Sequence, residues 1–205
     1  MLLICSAIVR ATKALKFEGV KMQAKEVKLP LSNKEALLLH TGEIVSLFGT
    51  AYLARDAAHK RIAECLEQKK EPPFALSDAC IFYAGPCPAA PGELIGPCGP
   101  TSSSRMDKYT IPLLDCGLSA MIGKGRRSHA VVEAMRGRAV YFAVTGGAAL
   151  IISKHIVEVK EVAYPELGTE AVLKIKLNGL KAVVAVDAHC NDIFSCAEVK
   201  NERNC

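Results

Sequence analysis

The stretch Ser119-Ala-Met-Ile-Gly-Lys-Gly-Arg-Arg-Ser-His-Ala-Val-Val-Glu-Ala-Met-Arg-Gly-Arg-Ala-Val-Tyr-Phe-Ala-Val-Thr145 changes its apolar pattern twice. Ala120 to Gly123 reads as a strand, Ser128 offers a hydroxyl N-cap for a helix through Arg136, and Ala139 to Val144 reads as a second strand. Another helix begins near Thr145. Strand alternating with helix points to sheets with helices on their faces, an α/β domain.

Upstream, residues 25–31 and 43–49 read as strands by alternation and β-branching. Arg55 to Lys69 reads as a helix, because Ala58, Ile62, Cys65 and Leu66 repeat on one face until Pro72-Pro73 stops it. Cys80 to Ala84 is a short apolar strand. Gly85 to Ser104 contains too many prolines and glycines for regular structure and reads as a long ordered loop. Ser104 followed by Asp107 has the form of a capping box opening a helix toward Gly117, with Pro112 set to interrupt it. Downstream, residues 156–163 alternate. Leu173, Ile175 and Leu177 alternate with lysines, Asn178-Gly179 supplies a tight turn, and Leu180 to Val186 returns as the second arm of a hairpin. No solenoid period is present. The organisation expected is one α/β domain over residues 22–205, preceded by a peripheral N-terminal extension over 1–21.

The chain has 205 residues, enough to bury roughly two thirds of its unfolded surface. Half of its residues are hydrophobic, which excludes a disordered protein. A net charge of +5, spread along the chain, favours anionic ligands. With five Tyr, six Phe and no Trp, none of them interleaved with basic runs, a stacking platform for single strands is missing and nucleic acid is not an expected partner. No apolar run approaches the roughly 20 residues that cross a bilayer, so no membrane association is expected. The apolar opening residues precede their first charge, Arg10, which is the wrong order for a secretion signal; a cytoplasmic chain with reduced thiols is expected. The nine cysteines form no Cys-x-x-Cys pair, and the spacing of Cys80, Cys87 and Cys98 fits neither zinc nor ferredoxin patterns. Several of them read as small buried hydrophobes, and no metal site is expected in the chain.

Three loops carry a basic constellation: Arg55 in Ala54-Arg-Asp-Ala-Ala-His-Lys-Arg61, Arg105 in Gly99-Pro-Thr-Ser-Ser-Ser-Arg-Met-Asp107, and Lys124 in Gly123-Lys-Gly-Arg-Arg-Ser128. Two guanidinium forks and an ammonium beside helix starts suit a small dianion such as a dicarboxylate. Arg55 opposes the helix dipole, and the adjacent Asp56 offsets that cost; a plain Arg55–Asp56 surface pair is the bland alternative. His59, one turn on, shares a face with Arg55. Thr101, Ser102, Ser103 and Ser104 offer four hydroxyls beside Arg105, with Ser104 as helix cap. The Lys124 loop is no Walker motif, because Gly125 follows the lysine. Arg126 and Arg127 suit a subunit interface or solvent. Thr145 to Ala149 suits close packing through its glycines. Asp107, Asp187 and Asp192 read as caps and turn residues, and His129, His155 and His189 have no defined partner.

These motifs, with Tyr83-Ala-Gly-Pro86, Val140-Tyr-Phe-Ala-Val-Thr-Gly-Gly-Ala-Ala149, Tyr164-Pro-Glu-Leu-Gly168 and Val186-Asp-Ala-His-Cys-Asn-Asp192, follow one another as they do in the β subunit, or C-terminal domain, of class I fumarases and the related L-tartrate dehydratases, which the chain resembles from about residue 22 to about 195. The resemblance implies a swivelling β/β/α domain with mixed sheets and flanking helices. It implies substrate contact by Arg55, Thr101, Ser102, Arg105 and Lys124, with Thr101 and Lys124 as the catalytic candidates. Thr101-Ser102 stands where Thr-Thr is commoner, and Ser103-Ser104 where Ala-Gly is common.

The activity implied is reversible trans addition of water to fumarate to give L-malate, with a four-iron, four-sulfur cluster carried by the α subunit. That subunit is the implied partner, in an α2β2 assembly, and this chain binds no cofactor itself and is inactive alone. The implied division of labour gives the cationic side chains the carboxylates and the charge that develops as a carbon-bound proton leaves. L-tartrate dehydration is the nearest rival, and a non-catalytic dicarboxylate-binding module is the rival of another class.

Overall fold

Parallel strands covered on both faces lose the polar alternation of a surface strand, and three short apolar runs of this chain show why. A computed structural model describes residues 24–195. The extension expected over 1–21, and Cys5, Cys196 and Cys205, lie outside the described residues. Strands β3 (Cys80–Phe82), β6 (Ala120–Gly123) and β7 (Val140–Ala143) lie side by side in parallel. Cys80, Phe82, Ala120, Ile122, Val140 and Phe142 enter one apolar core; the alternate residues Ile81, Met121 and Tyr141 enter another. Each fully buried Phe here contributes about 1.5–3 kcal/mol.

Strand β2 (Ile44–Leu53) extends this parallel set, and the long β9 (Val172–Val186) runs antiparallel to both β2 and β7. The hydrogen-bonded order β2, β3, β6, β7, β9 therefore closes back on β2. β1 (Lys25–Leu29) adds to the first half of β2, and β8 (Ile156–Ala163) to the first half of β9. The ring encloses the first core, to which helices α1 (Asn33–Ala36) and α5 (Ala149–Ser153) contribute Ala36 and Ile152. Helices α2 (Asp56–Glu67), α3 (Asp107–Asp115) and α4 (His129–Ala134) cover the second through Ile62, Leu113 and Val131. This is the mixed α/β architecture expected, a sheet with flanking helices.

Five local expectations are corrected. Asn178-Gly179 is no hairpin turn: β9 runs straight through it, and the pairing with β2 shifts from Leu47–Leu180 to Phe48–Asn178, so Gly179 is the extra residue of a bulge. A two-residue type I′ turn needs positive φ at both positions, whereas only Gly179 (φ 74°) has it. The loop 85–104 contains a two-stranded ribbon, β4 (Ala84–Pro86) with β5 (Cys98–Pro100). Ser104 is not a cap: a 3-10 turn, Ser103–Met106, leads directly into α3, which continues past Pro112 at the cost of one helix bond to the carbonyl of Lys108. Ser128 occupies the N-cap position of α4, but its side chain makes no capping bond. The helix expected near Thr145 starts at Ala149.

Candidate functional site

In a parallel sheet, ligands gather at the carboxyl ends of the strands, where loops replace regular backbone. Arg55 follows the end of β2 and stands at the N-cap of α2; Lys124 follows the end of β6; Gly146 lies beyond the end of β7. Thr101, Ser102 and Arg105 belong to the long connection that leaves β3. That connection is tied back to the strand ends, with Thr101 N–H donating to the Tyr83 carbonyl at 2.8 Å and Ser103 N–H to the Lys124 carbonyl at 2.8 Å. An isolated parallel bridge joins Ser102 to Lys124. All five candidate residues thus lie on loops at one end of the parallel strands.

Their contacts differ from the neighbour pairing read in the sequence. Asp56 does not hold Arg55; its Oδ2 lies 2.7 Å from Nη2 of Arg105. The second terminal nitrogen of Arg105 donates to the Thr101 hydroxyl at 3.2 Å. Arg55 instead turns to the segment before β9, with Glu170 at 3.3 Å and the Thr169 hydroxyl at 3.4 Å. Arg55 holds the N-cap position with an extended backbone and makes no side-chain capping bond. Its guanidinium lies over Gly85, where a Cβ would stand 2.6 Å from Nε, and that buried Nε–H has no partner among the described residues. Lys124 has a glycine neighbour too: a Cβ on Gly146 would stand 2.9 Å from Lys124 Cδ, so the packing expected of these glycines shapes the lysine stem.

Behind these loops lies a buried polar cluster that sequence reading missed. Arg127, assigned to interface or solvent, is fully buried in its side chain. It donates to Asp107 at 2.7 Å, the Thr110 hydroxyl at 2.6 Å and the Tyr83 hydroxyl at 3.1 Å. Burial opposes its charge, but Tyr83 and Asp107 more than compensate and raise its pKa. The other Asp107 oxygen accepts from Ser128 N–H at 2.7 Å, so this acid joins two helices; it makes no capping bond to its own helix, contrary to the cap role expected. The one available signal was the Asp107, Thr110, Arg127 trio, but nothing local pairs residues 20 apart. Arg126 lies against Phe194, donating to its carbonyl at 3.4 Å.

His59 is buried under the same loops, its Nδ1 3.2 Å from the Arg55 carbonyl and its ring edge-on to Tyr83. The carbonyl only accepts, so Nδ1 carries the proton and His59 supports the backbone of Arg55. Burial pulls its pKa from 6.5 down to about 4. Unfolding frees it to take a proton at pH 6.5, so its contribution to stability is complete above about 6.5 and is lost as pH falls toward 4. His59→Leu should flatten the urea-midpoint profile across that window; an unchanged slope would show that other groups dominate it.

Among the other acids, Asp187 accepts from Thr41, His189 and Asn191, and Asp192 from Phe194 N–H, the turn roles expected. His155 meets the Asn178 carbonyl and His189 that of Leu37.

The described residues do not suit an iron–sulfur cluster. No group of three or more Cys, His, Asp or Glu among them could hold a metal ion. Cys80 and Cys98 are buried thiols, Cys98 pushed up to about 12 by its burial. Two surface clefts of about 410–420 Å³ lie elsewhere, one between α2 and α3 and one along β8 and β9. The constellation itself is open, with the Arg105 side chain 54% exposed. Among the described residues no helix is long and apolar enough to cross a membrane.

A family model described as Fumarase C-terminus matches residues 7–197. Fumarate hydratase class I, anaerobic, from Escherichia coli K12 is 37% identical over 164 residues, covering 78% of this chain and 30% of the relative. A putative L(+)-tartrate dehydratase subunit beta from Methanocaldococcus jannaschii is 33% identical over 171 residues, covering 80% of this chain and 88% of the relative. The L(+)-tartrate dehydratase subunit beta of Escherichia coli K12 is 27% identical over 179 residues, 83% of this chain and 87% of the relative. The chain thus spans less than a third of the fumarate hydratase's length but most of the tartrate dehydratase subunits.

Proposed function

The chain belongs to the fumarase C-terminus family, and on that premise we propose that it is the β-type part of a two-part hydro-lyase interconverting L-malate with fumarate and water. The observation that carries this reading is the convergence of Arg55, Thr101, Ser102, Arg105 and Lys124 on loops at one end of the parallel strands. Three cations and two hydroxyls suit a four-carbon dicarboxylate, whose two charges need partners at both ends.

Each group has a definite task in this reading. Arg105 and Arg55 bind carboxylates through guanidinium donors left over from Asp56, Thr101, Glu170 and Thr169. Lys124 stabilises charge gathering on the substrate as a carbon-bound proton leaves. Ser102 donates a hydrogen bond. Thr101 is the proton-transfer candidate: a free hydroxyl is far too weak a base near neutrality, and the Arg105 donor on its oxygen favours the oxyanion. The iron–sulfur cluster of such enzymes belongs, in this reading, to an α-type partner, in keeping with a donor set here that does not suit it.

That partner, in an α2β2 assembly in the cytoplasm, covers the open face. Its presence is supported by exposed apolar side chains beside the site. Leu150 and Ile151 project from α5, 59% and 63% exposed. Helix α5 packs against β5, where a Cβ on Gly99 would meet Ala149 at 3.4 Å, so these apolar groups extend from a helix seated on the strand that leads into Thr101.

Anaerobic co-expression with an α-type partner, followed by fumarate absorbance during malate dehydration, tests the reading. Activity only with both chains present is expected. The near-full coverage of the tartrate dehydratase subunits favours L-tartrate as the second substrate to try; a cluster-loaded complex that dehydrates tartrate alone would move the assignment there. Absence of any complex, with dicarboxylate binding by this chain alone, would favour a binding module. In the active complex Thr101→Ser should lose less turnover than Thr101→Val, and equal losses would assign Thr101 to shape.

A further inference from the structure

Lys124 has no side-chain ion pair among the described residues, yet its backbone is held by bonds that reach from the opposite loop. Its N–H donates to Ser103 Oγ at 3.0 Å and its carbonyl accepts from Ser103 N–H at 2.8 Å. Ser103 Oγ lies 2.9 Å from the Tyr141 hydroxyl, and Tyr141 lies 2.9 Å from the Gly125 carbonyl. A carbonyl can only accept, so the phenolic hydrogen goes to Gly125. Tyr141 oxygen must then accept the Ser103 hydrogen, which leaves a Ser103 lone pair for Lys124 N–H. Each hydrogen has one destination, and the peptide groups on both sides of Lys124 are fixed.

The brace is dry and closely fitted. Ser103 and Tyr141 are both fully buried. A Cβ on Gly123 would come within 2.0 Å of Ser103 Oγ, so the residue before Lys124 leaves room only for the hydroxyl. The Arg127 guanidinium stands 5.4 Å from the centre of the Tyr141 ring, which ties the brace to the buried cluster. Burial raises the Tyr141 pKa and keeps the phenol a donor. Buried, satisfied networks specify one geometry, because breaking any member strands a desolvated polar group.

We propose that Ser103 and Tyr141 are positioning residues for Lys124, cross-linking the loop that carries Thr101, Ser102 and Arg105 to the loop that carries the ammonium, so that the cations keep a fixed separation. The role in turnover rests on the function proposed above. The brace itself does not.

Two measurements separate these. Hydrogen exchange of this chain, resolved at the Lys124 amide, should be at least about 10-fold faster in Ser103→Ala than in the native chain, with the amide of Ile62 in α2 unchanged. Unchanged exchange at Lys124 overturns the brace. In the assembled enzyme, Ser103→Ala and Tyr141→Phe should each lower kcat by roughly 10-fold with less effect on KM, in line with the sensitivity of reaction rates to small misplacements. The double variant should lose little more than either single one. In a Lys124→Ala background the Ser103→Ala loss should vanish from the residual turnover. A full further loss there would mean that Ser103 does not act through Lys124 and overturns the positioning role. Should the native complex turn over neither malate nor tartrate, the functional reading falls while the exchange result still decides the brace.

Discussion

Arg105→Ala is expected to lower turnover in the assembled enzyme by about 100-fold or more while leaving the fold intact. The side chain is half exposed, so its ion pair with Asp56 contributes at most about 1 kcal/mol to stability. In the proposed function its weight comes from position: one nitrogen holds the Thr101 hydroxyl while the other anchors on Asp56, which would leave the rest of the fork for a carboxylate. Removing one such donor from a site built around an anion costs about 3 kcal/mol in the transition state. Arg105→Lys should recover only part of this, because an ammonium keeps the charge but cannot engage Thr101, Asp56 and a carboxylate in one plane. The measurement is malate dehydration by purified complexes matched for cluster content. Near-normal kcat/KM in the Ala variant would remove Arg105 from the site.

Asp107→Ala should destabilise the chain by about 3–5 kcal/mol, because it leaves the fully buried Arg127 charge without its carboxylate. It also deprives Ser128 N–H of its acceptor where α3 meets α4. Asp107→Asn, which keeps an acceptor of the same shape and loses the charge, should fall between. Urea denaturation would read both as a lower midpoint at constant slope. A loss under about 1 kcal/mol in the Ala variant would mean that Tyr83 and Thr110 alone satisfy Arg127. Because Arg127 also lies over the Tyr83 and Tyr141 rings, loss of its partner should loosen the carboxyl ends of β3 and β7, and activity should fall with stability.

Much of the site was legible because its residues sit in short local motifs at strand ends. Ala120 to Gly123 followed by Lys124 needed only periodicity to place, and Arg55 only a helix start; the strand read over 43–49 runs on to Leu53 and so carries the sheet up to Arg55. Ser103 shows the limit of that reading. As one of four hydroxyls in a polar loop it looked interchangeable with Ser104, yet it is buried against Lys124 while Ser104 is exposed. The departure from the commoner Ala-Gly pair therefore falls on a position where the hydroxyl makes specific bonds. The buried Arg127 was illegible for the same reason: its partners Asp107, Thr110 and Tyr83 come from three other segments.

The sequence by itself determined the α/β class, the order of most strands and helices, the family, and which loops carry cations and hydroxyls. Those properties follow from periodicities, caps and motifs that span a few residues and act through the local backbone. Tertiary structure alone decided that β9 passes through Asn178-Gly179 as a bulge, that the strands close into a ring, that Asp56 serves Arg105 instead of Arg55, and that Arg127 is interior. Each of these is a choice between partners that local chemistry leaves equal. A glycine with positive φ suits a turn or a bulge, and an arginine suits solvent or a satisfied interior. The choice falls to whichever distant strand or carboxylate the closed sheet brings within hydrogen-bonding reach.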